Sequence, residues 1–247
     1  MNNNATVEKM RALRFTGMAN AFEVALASRQ HQKYTPDELM AYLIEQEWEY
    51  RQNKHIQSLV MRAKFRYTAT IEELQFAGTR NLDKNNVLRL ASGNYLESKE
   101  NIIITGSTGV GKSFLASAIG HQACVMGYKV LYFNTVKLFQ HLKMSKADAT
   151  YMKEIKRIEK ADLLILDDFG LQPLDHPTRI ALLEIIEDRH GKSSTMITSQ
   201  IPVANWYELF EEKTIADAIL DRIVHSSQRL ELKGESLRKK QSTNKIV

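Results

Sequence analysis

The stretch ITGSTGVGKS, residues 104–113, decides the class of fold. Two of its three glycines, Gly106 and Gly111, lie five positions apart and are followed by lysine and serine, a pattern typical of a loop that wraps around the phosphates of a nucleotide. Such glycines let backbone N–H groups approach the phosphates, the lysine reaches the β- and γ-phosphates, and the serine hydroxyl ligates Mg²⁺. We therefore predict that nucleotide contacts come from Gly106, Ser107, Thr108, Gly109, Val110, Gly111, Lys112, Ser113 and Phe114.

From residue 101 onward, apolar strands alternate with helices. Strands are predicted at 101–105, 129–134, 162–166, 195–199 and 228–232, and helices at 113–126, 136–160, 178–189, 204–210 and 214–225. This alternation indicates an α/β core, a parallel sheet with helices on both faces. Residues 1 to about 98 are instead predicted to be helical. Their longest helix starts at Pro36 and runs to about Lys64, and a short one covers Lys84–Ala91.

Composition narrows the class of protein. The chain has 247 residues, of which 43% are hydrophobic and 26% charged, as in an ordinary folded protein. Its single cysteine excludes a disulfide framework, and its seven histidines show no metal-ligand spacing. The N-terminus lacks the apolar region of a signal peptide, and no apolar run has membrane-spanning length. We therefore expect a cytoplasmic protein without a membrane partner, whose net charge of +5 mildly favours nucleic acid.

A second motif, DLLILDDFG at residues 162–170, places two acids at the end of an apolar strand. Asp167 would hold Mg²⁺ through water, and Asp168 would orient or deprotonate the water that attacks the nucleotide. The alternative is a capped strand end that carries a solvated acid pair. The phosphate-binding loop about fifty residues upstream favours the catalytic interpretation.

Two later features complete the predicted site. TMITSQ at 195–200 is a strand whose tip would lie beside Asp167, so Gln200, or alternatively Ser199, could touch the γ-phosphate or its water. DAILDRIVHSSQRLEL at 217–232 places Arg222 in an amphipathic helix. Arg222 is either a surface ion-pair partner or an arginine that reaches a neighbouring subunit's nucleotide, and its spacing alone does not decide.

These four features, in this order, resemble the AAA+ ATPases, and within them the DnaC-type branch. The resemblance is most specific to the IstB-like ATP-binding proteins that bacterial insertion sequences encode. The segments that carry it cover nearly the whole chain: LRFTGMANAF at 13–22, ITGSTGVGKSFLASAIGHQAC at 104–124, LLILDDFG at 163–170 and ILDRIVHSSQRLELKGESLRK at 219–239.

The resemblance implies an ATP-dependent protein that binds double-stranded DNA and forms homo-oligomers with ATP sites between subunits. It further implies recruitment and stimulation of the transposase of the same insertion sequence. By family pattern, Lys112 and Ser113 contact the nucleotide and Mg²⁺, and Asp167 is the Mg²⁺ acid. Gln200 occupies the sensor position, Arg222 is the arginine finger that acts in trans, and Arg238 is a second nucleotide-sensing arginine.

The sequence departs from the family pattern at the acid pair. Most AAA+ proteins have glutamate where this chain has Asp168, and the shorter side chain predicts slow hydrolysis. The sensor position holds glutamine rather than asparagine. Fifteen residues follow Leu232, too few for a helical lid, so we expect a lidless core. The resulting domain prediction is a helical partner-binding domain at 1–66, a connector at 67–98, an ATPase core at 99–232 and a basic tail at 233–247.

A basic region between the second strand and the acid pair is the predicted DNA contact. Residues 136–160 hold seven Lys or Arg against three Asp or Glu. Four of the cations recur at i, i+3, i+4 and i+7, so they form a stripe along one face of a helix. Such a stripe can contact the phosphate backbone of DNA without recognising its base sequence. The alternative is a solvated helix face. The predicted DNA-binding residues are Lys143, Lys146, Lys153, Lys156, Arg157 and Lys160.

Two other functions share the phosphate-binding loop. A replicative helicase loader of the DnaC type would have the same core and differ in the partner of its N-terminal region. A small-molecule kinase would need an acceptor pocket and a lid, and the sequence offers no candidate for a lid.

Overall fold

The computed structural model describes residues 3–76 and 80–237. Its centre is a five-stranded sheet in the order β2-β3-β4-β1-β5, in which all neighbouring strands are parallel. The prediction of a parallel sheet with flanking helices is confirmed. The strands are β1 (Asn101–Gly106), β2 (Val130–Asn134), β3 (Leu163–Phe169), β4 (Ser194–Ser199) and β5 (Ser227–Leu232).

Ten α-helices are found in the described part of the chain, together with 3₁₀ helices at Gln30–Gln32 and Val203–Leu209. The segment predicted as a helix at 204–210 is thus 3₁₀ rather than α. The α-helices are α1 (Asn3–Ala12), α2 (Thr16–Ala27), α3 (Pro36–Ala63), α4 (Lys84–Ala91), α5 (Asn94–Glu97), α6 (Lys112–Val125), α7 (Thr135–Ala147), α8 (Tyr151–Glu159), α9 (His176–Arg189) and α10 (Lys213–Val224).

The basic region predicted as one helical stretch at 136–160 is two helices, α7 and α8. Ala149 lies between them with a φ of 55°, a left-handed conformation that does not continue an α-helix. The N–H of Thr150 then bonds the carbonyl of Ser145 and closes the end of α7. The helix therefore breaks because its backbone reverses hand at one residue.

Alternate residues of the strands pack into two apolar layers on opposite faces of the sheet. Ile102 and Ile104 of β1 lie in one layer with residues of α4 and α6, whereas Ile103 lies in the other with residues of α9 and α10. This period of two is what a parallel sheet covered on both faces requires. The arrangement places the loop after β1 at the carboxyl edge of the sheet, next to the end of β3.

The chain divides into two compact units after Ser58, within α3. In the first unit, α2 and α3 approach closely at Gly17, where a Cβ atom would lie 2.6 Å from the carbonyl oxygen of Gln46. Buried Glu47 accepts hydrogen bonds from the N–H of Met18 and from Arg51. The domain limits predicted at residues 66 and 98 stay predictions.

Across residues 3–76 and 80–237, none of the helices combines the length and apolar character needed to cross a bilayer.

Candidate nucleotide site

The loop between β1 and α6 is a cradle that glycine makes possible. Gly106 has a φ of 148°, and a Cβ atom there would lie 2.3 Å from the carbonyl oxygen of Leu232 on β5. Gly109 and Gly111 also have positive φ, at 85° and 98°. Side chains at these positions would strain the backbone or clash with neighbouring residues, so glycine lets the loop keep a shape that fits a bound phosphate chain.

Lys112 begins α6 and is 5% exposed. Its Nζ donates to the carbonyl oxygens of Gly106 (2.8 Å) and Ser107 (2.9 Å). The ammonium therefore lies inside the curve of the loop, where a β- or γ-phosphate would meet it together with the N-terminus of α6. Phe114, predicted as a contact residue, packs its ring against Tyr67 at a centroid distance of 6.0 Å and belongs to the apolar layer.

Asp167 ends the apolar part of β3 and its side chain is fully buried. One carboxylate oxygen accepts from the hydroxyls of Ser113 (2.8 Å) and Thr198. The other accepts from the Tyr132 hydroxyl and from Nη1 of Arg66 (3.1 Å). Burial, and after it the negative charge of Asp167, raise the pKa of Tyr132, which keeps its hydroxyl protonated as a donor.

Asp168 adopts a φ of 61°, an uncommon conformation for a residue other than glycine. Its N–H donates to the hydroxyl of Thr198 (3.2 Å). Its Oδ2 accepts from the side-chain amide of Asn134 (3.1 Å) and from Nη1 of Arg66 (2.8 Å). The side chain is 17% exposed, which places it at the mouth of the site. The two hydrogen bonds hold the carboxylate there.

Arg66 is the site residue that sequence reasoning missed. It lies 101 positions before Asp167, in the segment after α3, and bridges both acids with one guanidinium nitrogen. Burial opposes its charge, but the hydrogen bonds to both acids outweigh burial and raise its pKa. Nothing local in the sequence marks this residue. Asn134 and Thr198 could have been found, because each lies at the carboxyl end of a strand beside β3.

Gln200 lies directly after β4, beside the cradle. The hydroxyl of Thr108 donates to its Oε1 at 2.6 Å, so the predicted sensor side chain touches the phosphate-binding loop. The alternative candidate, Ser199, is fully buried and donates to the carbonyl oxygen of Phe169 (2.8 Å). The geometry therefore places the side chain of Gln200, and not that of Ser199, against the phosphate-binding loop.

The rim of the cradle comes from segments before and after the sheet. Nη2 of Arg80 donates to the carbonyl oxygen of Val110 at 2.6 Å, and burial lowers the pKa of this arginine. The N–H of Leu237 donates to the carbonyl oxygen of Gly109 at 3.0 Å, which holds the segment after β5 against the loop. Arg238, predicted as a nucleotide-sensing residue, lies outside the described residues.

A family model for IstB-like ATP-binding proteins matches residues 8–245. The chain belongs to the IstB-like ATP-binding protein family. An insertion sequence ATP-binding protein of Sinorhizobium fredii is 40% identical to it over 236 residues, which are 96% of each chain. The insertion sequence IS21 ATP-binding protein of Pseudomonas aeruginosa is 32% identical over 204 residues, 83% of this chain and 77% of that protein.

Solved structures support the fold of this IstB-like protein. The DnaC helicase loader matches with a TM-score of 0.55 and 22% identity, over 68% of this chain and 98% of the loader. DnaA from Aquifex aeolicus, bound to AMPPCP, matches with a TM-score of 0.59 and 20% identity, over 74% of this chain and 56% of DnaA. The core is therefore an AAA+ fold.

Arg222 of the IstB-like protein lies far from its own cradle. Its carbonyl oxygen accepts from the side chain of Asn101, the first residue of β1, whereas the cradle follows the last. The length of β1 separates Asn101 from the cradle by about 16 Å. The Arg222 guanidinium pairs with Glu187 at 3.1 Å and also bonds the carbonyl oxygen of Ala218.

The basic stripe of the IstB-like protein lies on the outer face of α8, opposite the buried Ile155 and Ile158. All four of its cations are exposed: Lys153, Lys156, Arg157 and Lys160. Of these, Arg157 pairs with Glu154 at 2.9 Å. On α7, exposed Lys143 lies 4.0 Å from Asp175, and Nζ of Lys146 lies 4.7 Å from the centre of the Tyr151 ring.

The residues of the site fit Mg²⁺ bound with a nucleotide. Mg²⁺ prefers oxygen ligands and usually takes one or two from the protein, with waters and phosphates completing its shell. The Ser113 hydroxyl and the Asp167 carboxylate supply such oxygens 2.8 Å apart at the base of the cradle. Elsewhere in the described part of the chain there is no group of three or more His, Cys, Asp or Glu suited to a metal.

Proposed function

We propose that this protein binds Mg²⁺–ATP in the cradle and hydrolyses it slowly while it is assembled on duplex DNA. In this state it recruits and stimulates the transposase of its own insertion sequence. The observation that carries the proposal is the junction of the glycine loop with the acid pair, in a chain of the IstB-like family. Its curated relatives are named as insertion sequence ATP-binding proteins.

The residues of the site divide the chemistry between binding and hydrolysis. Lys112 and the loop N–H groups would hold the β- and γ-phosphates, and Ser113 and Asp167 would hold Mg²⁺, which neutralises phosphate charge. Asp168 would orient the attacking water and accept its proton. Gln200 would contact the γ-phosphate through its position beside Thr108.

The place of Arg222 supports an assembly with shared sites. An arginine about 16 Å from its own cradle cannot stabilise charge there, so a finger role requires the cradle of a neighbouring subunit. The assembly would then repeat head to tail, since one face carries the nucleotide and the opposite face the arginine. The basic face of α8 would follow the DNA backbone without reading bases.

The first unit offers a surface for the transposase. Met40, Ile44 and Trp48 follow one another at intervals of four on α3 and are 56%, 54% and 60% exposed. Exposed aromatic and aliphatic side chains on one helix face are typical of protein-binding sites. These exposed side chains support a partner-binding role for residues 1–66.

The proposal predicts that Lys112→Ala weakens ATP binding and, with it, ATP-dependent assembly on DNA. The lysine supplies the charge that holds the β- and γ-phosphates, so we expect at least a tenfold loss of affinity, about 1.4 kcal/mol. A fluorescent ATP analogue would report binding, and electron microscopy with duplex DNA would report assembly. Lys129→Ala, at an exposed lysine before β2, is the matched control. Equal affinity in both variants would contradict the proposed site.

A helicase loader is the second candidate, because the fold also matches the DnaC helicase loader. The two functions differ in the partner. The full chain, immobilised with Mg²⁺–ATP, should retain the transposase of its insertion sequence and not a DnaB-type helicase. Retention of the helicase alone would favour the loader.

A further inference from the structure

The carboxylate of Asp167 has every acceptor position occupied. A carboxylate offers about four lone-pair positions. Ser113, Thr198, Tyr132 and Arg66 each donate one hydrogen bond to it, two at each oxygen. A water bound to Mg²⁺ would need one of these positions, so one donor must leave when the metal is bound.

Three of the four donors are held by the fold. Tyr132 and Thr198 extend from β2 and β4, and both are buried in the sheet. The Ser113 hydroxyl can ligate a metal through its oxygen lone pairs while its O–H still donates a hydrogen bond to Asp167. Arg66 differs from them, since it lies in an irregular segment after α3 and its side chain is 39% exposed.

The positive charge of Arg66 lies beside the acid pair, where a bound Mg²⁺ would also place positive charge. Two adjacent carboxylates close to the interior repel each other unless a cation lies between them. The Arg66 guanidinium lies within 3.1 Å of Asp167 and 2.8 Å of Asp168. A guanidinium and a divalent cation are therefore alternative counter-ions for the same acid pair.

We propose that Arg66 is an internal counter-ion that closes the acid pair in the nucleotide-free protein and leaves it when Mg²⁺–nucleotide binds. This inference rests on the proposed function and adds a regulatory contact to its site. The metal and its nucleotide must displace Arg66 before the acids can act. Nucleotide without Mg²⁺ leaves Arg66 on the acids.

The test compares Arg66→Gln with the wild type and with Arg62→Gln. Arg62 is an exposed arginine near the end of α3 that has no ion pair within the described residues. Affinity for a fluorescent ATP analogue is measured with Mg²⁺ and with EDTA. Because Gln removes the competing cation, we expect Arg66→Gln to bind Mg²⁺–nucleotide about tenfold more tightly, with affinity in EDTA unchanged. Arg62→Gln should match the wild type in both.

A second readout does not use nucleotide affinity. Without Arg66 the acid pair is uncompensated, so the melting temperature of the nucleotide-free variant should fall below that of the wild type. Saturating Mg²⁺–ADP should bring the two proteins to within a degree of each other, since the metal then replaces the guanidinium. Arg66→Lys keeps the charge and should lie between the two in both measurements, which keeps the proposal testable if Arg66→Gln does not fold.

The outcomes separate this inference from the proposed function. If the wild type bound no nucleotide, or bound it as well after Lys112→Ala, the proposed site itself would be wrong. If the wild type bound Mg²⁺–nucleotide and Arg66→Gln bound it equally or more weakly, the counter-ion role would be overturned. Weaker binding would instead indicate that Arg66 contacts the phosphates.

Discussion

At the scale of single residues, Asp168 has the most unusual surroundings in the site. Its backbone is left-handed, and Asn134 donates to Oδ2, a contact that does not depend on Arg66. This leaves Oδ1 as the oxygen available to a water. The strain of the backbone, of the order of 1 kcal/mol or more, is typical of residues at functional sites.

We predict that Asp168→Asn abolishes hydrolysis and spares nucleotide binding. An amide cannot accept the proton of the attacking water, and the loss of a general base lowers turnover by about 10²-fold or more. Affinity for Mg²⁺–ATP should stay within about threefold, or about 0.7 kcal/mol, because Asp167 and the cradle are intact. Phosphate release and nucleotide titration measure the two effects. Asp148→Asn, in the turn after α7, is the control, and undiminished turnover in Asp168→Asn would exclude the base role.

At the scale of elements, the break between α7 and α8 matters most. Because Ala149 reverses the backbone, α8 packs against α7 and α9 with Ile155 and Ile158 buried, and the four cations of the stripe are exposed. Arg189, the last residue of α9, bonds the C-terminal end of α8. It is almost fully buried and donates to the carbonyl oxygens of Ile158, Ala161 and Ser194. Burial lowers its pKa to about 10, so it stays charged at neutral pH.

We predict that replacing the four cations of the α8 stripe with glutamine weakens binding to duplex DNA of any sequence. Each lost phosphate contact lowers the slope of log affinity against log salt by about 0.9, so four contacts lower it by roughly 3 to 4. Fluorescence anisotropy over a salt series measures this slope. A control variant with glutamine at the exposed Lys84, Arg89, Lys129 and Lys192 loses the same charge. Equal slopes in the two variants would place DNA elsewhere.

At the scale of the whole molecule, the sheet of the second unit separates the cradle from Arg222. The cradle lies at the carboxyl ends of the strands, and Arg222 lies beside the start of β1. A parallel sheet imposes this polarity, because every strand begins at one edge and ends at the other. One chain therefore holds a nucleotide and presents an arginine, but at opposite edges.

We predict that variants defective at opposite edges complement each other. Asp168→Asn keeps the arginine and binds nucleotide but does not hydrolyse it, and Arg222→Ala keeps an intact site without the arginine, so each alone should be inactive. In an equimolar assembly on DNA, about a quarter of head-to-tail interfaces would combine an intact site with an intact arginine, and ATPase activity should return to about that fraction. The assay is phosphate release from mixtures.

The mixing experiment has two controls. Glu187→Gln removes the partner of Arg222 at 3.1 Å but keeps the arginine, and it should retain activity. Electron microscopy of the mixture establishes that both variants enter one assembly. A mixed assembly that stays inactive would show that Arg222 does not act in trans.

Much of the nucleotide site could be predicted because its residues are close in sequence or follow a strand. The cradle is one continuous stretch, Asp167 directly follows an apolar strand, and Gln200 directly follows another. Arg66 and Arg80 could not be predicted. They contact the acids and the loop across 101 and 30 positions, and no local period or spacing marks such a contact.

The sequence by itself determined the alternation of strands and helices, the phosphate-binding loop and the family, because each rests on local spacing. Tertiary structure alone decided that Arg66 lies on both acids, that the backbone of Asp168 is left-handed and that Arg222 is a strand's length from the cradle. These depend on which distant segments meet. Burial of apolar strand faces drives that meeting, whereas the polar contacts form where the packed backbone leaves their side chains within reach.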